Sequence, residues 1–265
     1  MDLAGLFPDG DYRFQLTLRR EAPERFFAKW DASGALLAER KRWLETDPAK
    51  YAMLRPDGEA LMEEFVALAT PWESRGALAA GRPASALTVG AAFEPDLLFL
   101  SADGSGEFRL QGGALCFPTG WALSEKIGHT LDFVHRVVPG LNPALAAPIS
   151  LFLTRLKPGV AFLRDNWGIA AKDDLNLHPS RQVPPPALPV RMDRLWLRVE
   201  HQALMALSST KGVVFGIRIS LHRLDGLAGT KAGERLSRAL VSMPSELACY
   251  KRIESVRQEI SKLLI

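Results

Sequence analysis

The chain is poor in cysteine, with only Cys116 and Cys249 among its 265 residues. Secreted proteins of this size more often carry a disulfide framework, so this pair predicts a reducing compartment. The first residues, Met-Asp-Leu-Ala, include an acid and no basic segment, which does not resemble a signal peptide. The longest apolar runs reach about ten residues, too short to cross a bilayer. We therefore expect a cytoplasmic protein without a membrane segment.

Several common motifs are also missing. The sequence has no glycine-rich dinucleotide fingerprint, P-loop, GxSxG elbow, HExxH or CxxC, which argues against the nucleotide-binding, hydrolase and zinc-protease classes that use them. The net charge is only +3 and the two signs are interspersed, so no nucleic-acid partner is expected. The basic run Arg40-Lys41-Arg42 lies on a helical pattern and is interpreted as a solvated helix face.

The periodicity of apolar residues predicts an α+β fold with a mainly antiparallel sheet. Helices are predicted over 33–46, 58–69, 124–138 (with Ser124 as N-cap), 143–156 and the last 35 residues, with a break near Met243-Pro244. Strands are predicted over 11–18, within 86–117, and over 160–169, 194–204 and 212–223. The proline-rich stretch 172–193 is predicted to be an ordered loop or a mobile lid.

His135 is the first candidate for chemistry. It follows Leu131 by four residues, which places it close to the apolar face of its predicted helix, whereas His129 points elsewhere. A histidine in that position is either packed in the core or available as a single axial ligand to haem iron. Cys116, after an apolar pair, is interpreted as a buried inert thiol, with a thiolate haem ligand as the alternative. Cys249 is interpreted as a packing residue.

The last two predicted strands supply a polar surface. Arg198 and Glu200 share one face of the first strand, and Arg218 lies on a polar face of the second. Side by side, these faces would form one wall with two arginines and a carboxylate. Such a wall is either a solvated sheet face with cross-strand ion pairs or the lining of a pocket in which the carboxylate holds a cationic ligand.

Six blocks of the sequence, in order over roughly residues 30–225, resemble the alpha subunit of haem-dependent oxidative N-demethylase and its relatives. They are Cys116-Phe117-Pro118-Thr119-Gly120-Trp121, Glu125-Lys126-Ile127-Gly128, Val134-His135-Arg136-Val137-Val138-Pro139-Gly140-Leu141, Arg164-Asp165-Asn166-Trp167, Leu197-Arg198-Val199-Glu200-His201-Gln202-Ala203-Leu204 and Phe215-Gly216-Ile217-Arg218. The chain departs from the family at His201, where arginine is usual, and at Arg136-Val137, directly after His135.

The resemblance implies a single PAS-like haem-binding domain over 1–265, with a core of about 85–225 and helical extensions at both ends. It implies one haem b, whose iron is bound by His135, and cofactor contacts from Trp167 and Arg218. Glu200 and Arg198 match the strand block and are the expected catalytic residues. Glu200 would pair with an ammonium group, and Arg198 would donate hydrogen bonds to iron-bound oxygen.

The function implied by the resemblance is oxygen activation for the oxidative N-demethylation of a small secondary amine such as dimethylamine. The expected partners are that amine, O2 and a reductase subunit. Two alternatives stay open. The first is a non-catalytic haem or gas sensor on the same scaffold, and the second is a PAS-like domain that has lost haem and binds another small ligand or a protein.

Overall fold

Seven strands form one sheet in which every neighbouring pair is antiparallel, in the order β1-β5-β6-β7-β3-β4-β2. This architecture comes from a computed structural model that describes residues 2–73, 78 and 84–265. In those residues the strands, numbered along the chain, are β1 (Arg19–Glu21), β2 (Ala52–Leu54), β3 (Asp96–Ala102), β4 (Phe108–Ala114), β5 (Ala161–Ala170), β6 (Trp196–Ala206) and β7 (Val213–Arg223). The predicted α+β class with an antiparallel sheet is confirmed.

The helices of the described residues cover both faces of this sheet. They are α1 (Pro23–Phe27), α2 (Ala35–Thr46), α3 (Pro48–Tyr51), α4 (Glu59–Ala69), α5 (Ala86–Ala92), α6 (Leu131–His135), α7 (Leu141–Thr154), α8 (Lys231–Ser242), α9 (Ser245–Tyr250) and α10 (Arg257–Leu264). The predicted helices over 33–46, 58–69 and 143–156 are confirmed within a few residues, as is the C-terminal break. None of the described helices is long and apolar enough to cross a membrane.

The register between β6 and β7 decides which polar residues meet. Glu200 lies opposite Ile219, and His201 lies opposite Arg218. Directly opposite residues of antiparallel strands project from the same face. We call the face that carries Glu200 the front face and the face that carries His201 the back face. Arg218 is therefore on the back face, and the predicted single wall with two arginines is wrong, because one residue of register moves a whole strand's side chains to the other face.

The two faces are packed differently. The front face is covered by an apolar cluster that includes Leu153 of α7 and Ile217 of β7, with Leu131 of α6 partly buried against it. The back face carries two clusters. One joins the Phe26 region and helices α4 and α5 to the sheet, and the other joins α8, α9 and α10 to it. Both faces therefore bury apolar area, which is the main favourable contribution to folding.

Three local predictions are corrected by the structure. The strand predicted at 11–18 is found at Arg19–Glu21, and the start of the predicted β region is helix α5, which Ser85 begins with a capping box. The helix predicted over 124–138 is interrupted, because Gly128 adopts φ +82° and only a short turn precedes it. Helix α6 instead begins after Thr130, whose hydroxyl accepts from the Phe133 backbone N–H.

One prediction about a charged residue and one about a cysteine are also wrong. Arg40 is completely buried, and its guanidinium lies 2.6 Å from a carboxylate oxygen of Asp96. Only its neighbours in the basic run face solvent. Cys249 is exposed, whereas Cys116 is buried as expected, and burial raises the pKa of its thiol to about 12. A thiol with so high a pKa is protonated, which favours the inert interpretation of Cys116 over a thiolate ligand.

Candidate functional site

Glu200 lies at the centre of the front face, halfway along β6. The Thr119 hydroxyl donates to its Oε1 at 2.5 Å, and the side-chain amides of Asn166 and Gln202 donate to its Oε2 at 3.2 and 2.9 Å. Asn166 is its direct neighbour on β5, so the sheet itself brings the two together. A carboxylate can accept about four hydrogen bonds, so these three fix its orientation and leave capacity for one more donor.

Arg198, two residues earlier on β6, is almost fully buried, with 2% exposed. Its Nε donates to the Thr119 hydroxyl at 2.9 Å. Its terminal nitrogens donate at 2.7 to 3.1 Å to the backbone carbonyls of Phe117, Asp174 and Leu175. Burial lowers the pKa of this guanidinium to about 10, which still leaves it charged at neutral pH. Arg198 therefore binds two loop segments together and holds the hydroxyl that orients Glu200.

Further hydrogen bonds join the start of the proline-rich stretch to the segment that carries Thr119. The Leu177 N–H donates to the Pro118 carbonyl at 3.0 Å, and the Gly120 N–H donates to the Leu177 carbonyl at 3.1 Å. Together with the Arg198 contacts, they hold this part of the loop against the segment that carries Thr119. This part of the loop forms one wall of the site.

His135 is the last residue of α6 and is half-buried. Burial is the main reason that its pKa falls to about 4, and the nearby cations Arg164 and Lys126 lower it further against the opposing effect of Asp132. The imidazole is therefore neutral at pH 7. Among the described residues no hydrogen bond fixes its ring, so a ring nitrogen has a lone pair available to a ligand.

Three cations act electrostatically on Glu200. Lys251, which follows α9, donates to the Trp167 carbonyl at 2.6 Å, and burial lowers its pKa to about 8 although Glu200 opposes that change. Lys126 lies over the Trp121 ring, with its Nζ 4.7 Å from the ring centroid. Burial also lowers the pKa of Arg164, which lies on β5 next to Gln202. The site thus combines one carboxylate, three cations and a neutral imidazole.

Open space adjoins these groups. Gly168 lies on the front face of β5 opposite Arg198, and a Cβ built there would meet no heavy atom within 4 Å. Apolar side chains of the front-face cluster, among them Phe152 of α7 and Ile219 of β7, are only partly buried. The front face therefore offers open space next to Arg198 and partly buried apolar surface.

A model of the family described as haem-dependent oxidative N-demethylase, alpha subunit-like, matches residues 78–261, which is more than half of the chain. The chain belongs to this family. The match spans β3 to β7 and every charged residue of the site from Lys126 to Lys251. Membership indicates a haem-dependent function similar to that of oxidative N-demethylases. The family's alpha-subunit-like description also indicates that the chain works together with other subunits.

The residues present fit a haem. Haem iron needs one protein ligand in an apolar setting, which the neutral imidazole of His135 and the half-buried front-face cluster supply. The two carboxylates of a haem need cations, and Arg164 and Lys126 are close to that imidazole. Among the described residues, no three His, Cys, Asp or Glu side chains lie close enough together to bind a free metal ion. A haem does not need such a group, because its iron takes a single protein ligand.

The structure places three of the five predicted site residues on the front side of the sheet, where Arg164 and Lys126 lie near His135 and also act on Glu200. His135, Arg198 and Glu200 belong to the front-face site. Trp167 lies on the back face opposite Val199, with its ring centroid 5.2 Å from that of Phe7.

Arg218 is also on the back face. Its guanidinium lies 2.5 Å from the Glu94 carboxylate, and its Nε donates to the Phe26 carbonyl at 2.8 Å. Both of these hydrogen bonds are buried, and the bond to Phe26 holds α1 against the sheet. The expected cofactor contacts from Trp167 and Arg218 have no support in this geometry.

Sequence reasoning missed five members of the site, which are Thr119, Lys126, Arg164, Asn166 and Lys251. Asn166 and Arg164 could have been found, since they alternate along one strand and so share the face that pairs with Glu200. Lys251 gave no local signal, because only the packing of the C-terminal helices brings it to β5.

The two departures after His135 lie outside the site. Arg136 is 68% exposed in its side chain and pairs with Asp132 at 3.1 Å, and Val137 is 55% exposed. Both side chains are largely exposed, and Arg136 touches the surroundings of the imidazole only through Asp132, whose carboxylate also acts on His135.

Proposed function

We propose that this protein binds one haem b at the front face and uses it, with O2, for the oxidative N-demethylation of a small secondary amine such as dimethylamine. A reductase subunit would supply the electrons. The observation that carries the proposal is a carboxylate, Glu200, oriented by three hydrogen bonds on the same side of the sheet as a neutral histidine, His135.

His135 would bind the iron, and Arg164 and Lys126 would pair with the carboxylates of the haem. The bound group supplies the one-electron and oxygen chemistry that side chains cannot perform. The protein contributes position and charge. The neutral state of His135 at pH 7 means that no proton has to leave before the nitrogen binds a metal.

Glu200 would bind the substrate. A secondary amine is a cation at neutral pH, and the free acceptor capacity of this carboxylate suits an ammonium N–H. Its neighbours are donors that hold it in place, so the amine meets an oriented carboxylate. Lys251, with a pKa of about 8, can hold or release a proton at Nζ close to the carboxylate.

Arg198 acts here through Thr119. Its nitrogens are directed to one hydroxyl and to backbone carbonyls, so we assign it a positioning role and not the contact with bound oxygen that the resemblance implied. Loss of Arg198 would release the Thr119 hydroxyl and the loop at Leu175 together.

Amine titration of the haem-loaded protein tests this proposal. Addition of dimethylamine is expected to shift the Soret band in a saturable manner, and Glu200→Gln should weaken the apparent affinity about tenfold or more, since a charge-assisted bond is lost. Glu107→Gln is the matched control, because its carboxylate is 63% exposed on the β3–β4 turn.

Turnover to formaldehyde, measured with a chemical reductant and O2, separates an enzyme from a sensor. An amine-dependent shift without formaldehyde would favour the haem sensor. An amine response that is unchanged in Glu200→Gln would contradict the role of this carboxylate.

A further inference from the structure

The back face holds a second group of polar side chains that the front-face site does not use. Asp165 of β5 lies directly opposite His201 of β6, and Ser220 of β7 lies diagonally from His201 on the same face, because it pairs with Val199. His222 follows Ser220 on this face of β7. They separate the two apolar clusters of this face, one containing Ala203 and the other Val199. All four polar side chains are partly exposed.

Their distances form a continuous chain of hydrogen bonds. The Nδ1 atom of His201 is 2.7 Å from Oδ1 of Asp165, and its Nε2 atom is 2.8 Å from the Ser220 hydroxyl. Arg19 donates to the other oxygen of Asp165 at 2.7 Å. The Nε2 atom of His222 lies 3.0 Å from the same Ser220 hydroxyl.

The charges fix the direction of these bonds. Burial alone would raise the pKa of Asp165, but the hydrogen bonds from His201 and Arg19 lower it below its usual value. The ionised carboxylate accepts the Nδ1 proton, which leaves Nε2 of His201 to accept the Ser220 proton. The Ser220 oxygen is then free to accept from Nε2 of His222, so every contact in the chain is satisfied.

We propose that Asp165, His201 and Ser220 form a nucleophilic triad, a second reactive site that takes acyl groups from small uncharged esters. A hydroxyl within hydrogen-bond distance of an imidazole, which a carboxylate orients from its other side, is the arrangement that activates a serine on several unrelated folds. Because the three residues come from three strands, no short sequence motif reveals it.

The reaction balances without a cofactor. The Ser220 oxygen attacks the ester carbonyl while its proton moves to Nε2 of His201, which gives a tetrahedral intermediate. The carbon–oxygen bond of the ester then breaks, and the alcohol leaves with the proton from His201. Water, activated by the same imidazole, releases the acid and restores the serine.

The surroundings restrict the substrate to small apolar acyl groups. Val199 and Ala203 on β6 form the floor on either side of His201, and both are fully buried. The exposed fraction of the His201 side chain is 15% and that of Asp165 is 9%, so a reagent reaches the triad from one side only. Arg218, next to His201, is occupied by Glu94 and offers no site for an acidic substrate.

Labelling with a fluorophosphonate probe tests the proposal. Ser220 displaces fluoride from the probe, and mass spectrometry should locate the adduct on that residue. Ser220→Ala should abolish it, and His201→Gln and Asp165→Asn should slow it about 100-fold, the usual contribution of a general base. Ser101→Ala is the matched control, since Ser101 is a half-buried strand serine whose hydroxyl accepts from the Gln111 amide.

Hydrolysis of p-nitrophenyl acetate, measured with the same variants, should fall in parallel with the labelling rate. Far-UV circular dichroism and urea unfolding show which variants remain folded, and only those are compared. The absence of an adduct on Ser220 in the unmodified chain overturns the proposal. So does labelling of Ser220 that proceeds equally fast in His201→Gln and Asp165→Asn.

Discussion

The guanidinium of Arg198 should be one of the most important single contributions to the stability of the front face. It is 2% exposed and donates four hydrogen bonds, one to the Thr119 hydroxyl and three to the carbonyls of Phe117, Asp174 and Leu175. Substitution with alanine removes all four and opens a buried space. It also removes the desolvation cost of the guanidinium, which offsets part of the loss.

The size of the effect can be estimated from these contacts. A hydrogen bond to a charged group contributes about 1.5 to 3 kcal/mol, and removal of one member of a buried charged network typically costs about 3 to 5 kcal/mol in total. We expect Arg198→Ala to lower the free energy of unfolding by about 3 to 5 kcal/mol on that basis. Arg198→Lys keeps the charge but loses the planar fork, so an intermediate loss is expected.

Equilibrium unfolding in urea, followed by tryptophan fluorescence and circular dichroism, measures this loss. Arg191→Ala is the control, because that arginine is 60% exposed and pairs at 3.2 Å with Asp193, whose side chain is itself 46% exposed. An exposed pair of this kind contributes at most about 1 kcal/mol. If Arg198→Ala costs no more than Arg191→Ala, the view that Arg198 holds the two loop segments together is refuted.

Three further predictions concern the buried charge, the thiols and the histidine. Asp96→Ala should lower the free energy of unfolding in urea by about 3 to 5 kcal/mol, because it leaves the guanidinium of the fully buried Arg40 without its carboxylate; an unchanged midpoint would contradict this. Iodoacetamide should modify Cys249 in the folded protein and Cys116 only after unfolding, as counted by mass spectrometry, and early modification of Cys116 would contradict its burial. The pKa of His135 is 6.5 when the ring is solvated in the unfolded chain and about 4 in the folded protein. Between those pH values the unfolded chain therefore binds one proton more than the folded protein. The free energy of unfolding should therefore fall as the pH falls from about 6.5 towards 4. Urea midpoints measured across that range should fall less steeply in His135→Gln than in the unmodified protein, and equal slopes would contradict the lowered pKa.

Much of the fold follows from the sequence because helix and strand periodicities are local. The helix over Ala35–Thr46 and the long strands β5, β6 and β7 all lie close to the predicted limits. The interrupted helix before His135 was not predicted, because Ile127 and Leu131 keep a helical spacing across Gly128, whose positive φ stops the helix. His135 still lies on the same side of its helix as Leu131, which packs against the front-face cluster, because only the four-residue spacing between them decides this.

The site was harder to predict than the fold, because it depends on register and on distant packing. Glu200 and Arg198 could be placed on one face from alternation alone, but the partner face of β7 could not, and one residue of register moved Arg218 to the other side. The same correction brought Ser220 to His201. The buried position of Arg40 was also hidden, since an arginine in a basic run is usually solvated and only the fold brings Asp96 to it.

The central claim, that His135 is the ligand of a haem on the front face, is tested most directly by haem titration of the purified protein. We predict a one-to-one complex with a sharp Soret band, lost or strongly shifted in His135→Ala. The same spectrum should be retained in His129→Ala, whose ring is exposed and stacked on Phe133 with the centroids 3.8 Å apart. An unchanged affinity and spectrum in His135→Ala would contradict the account.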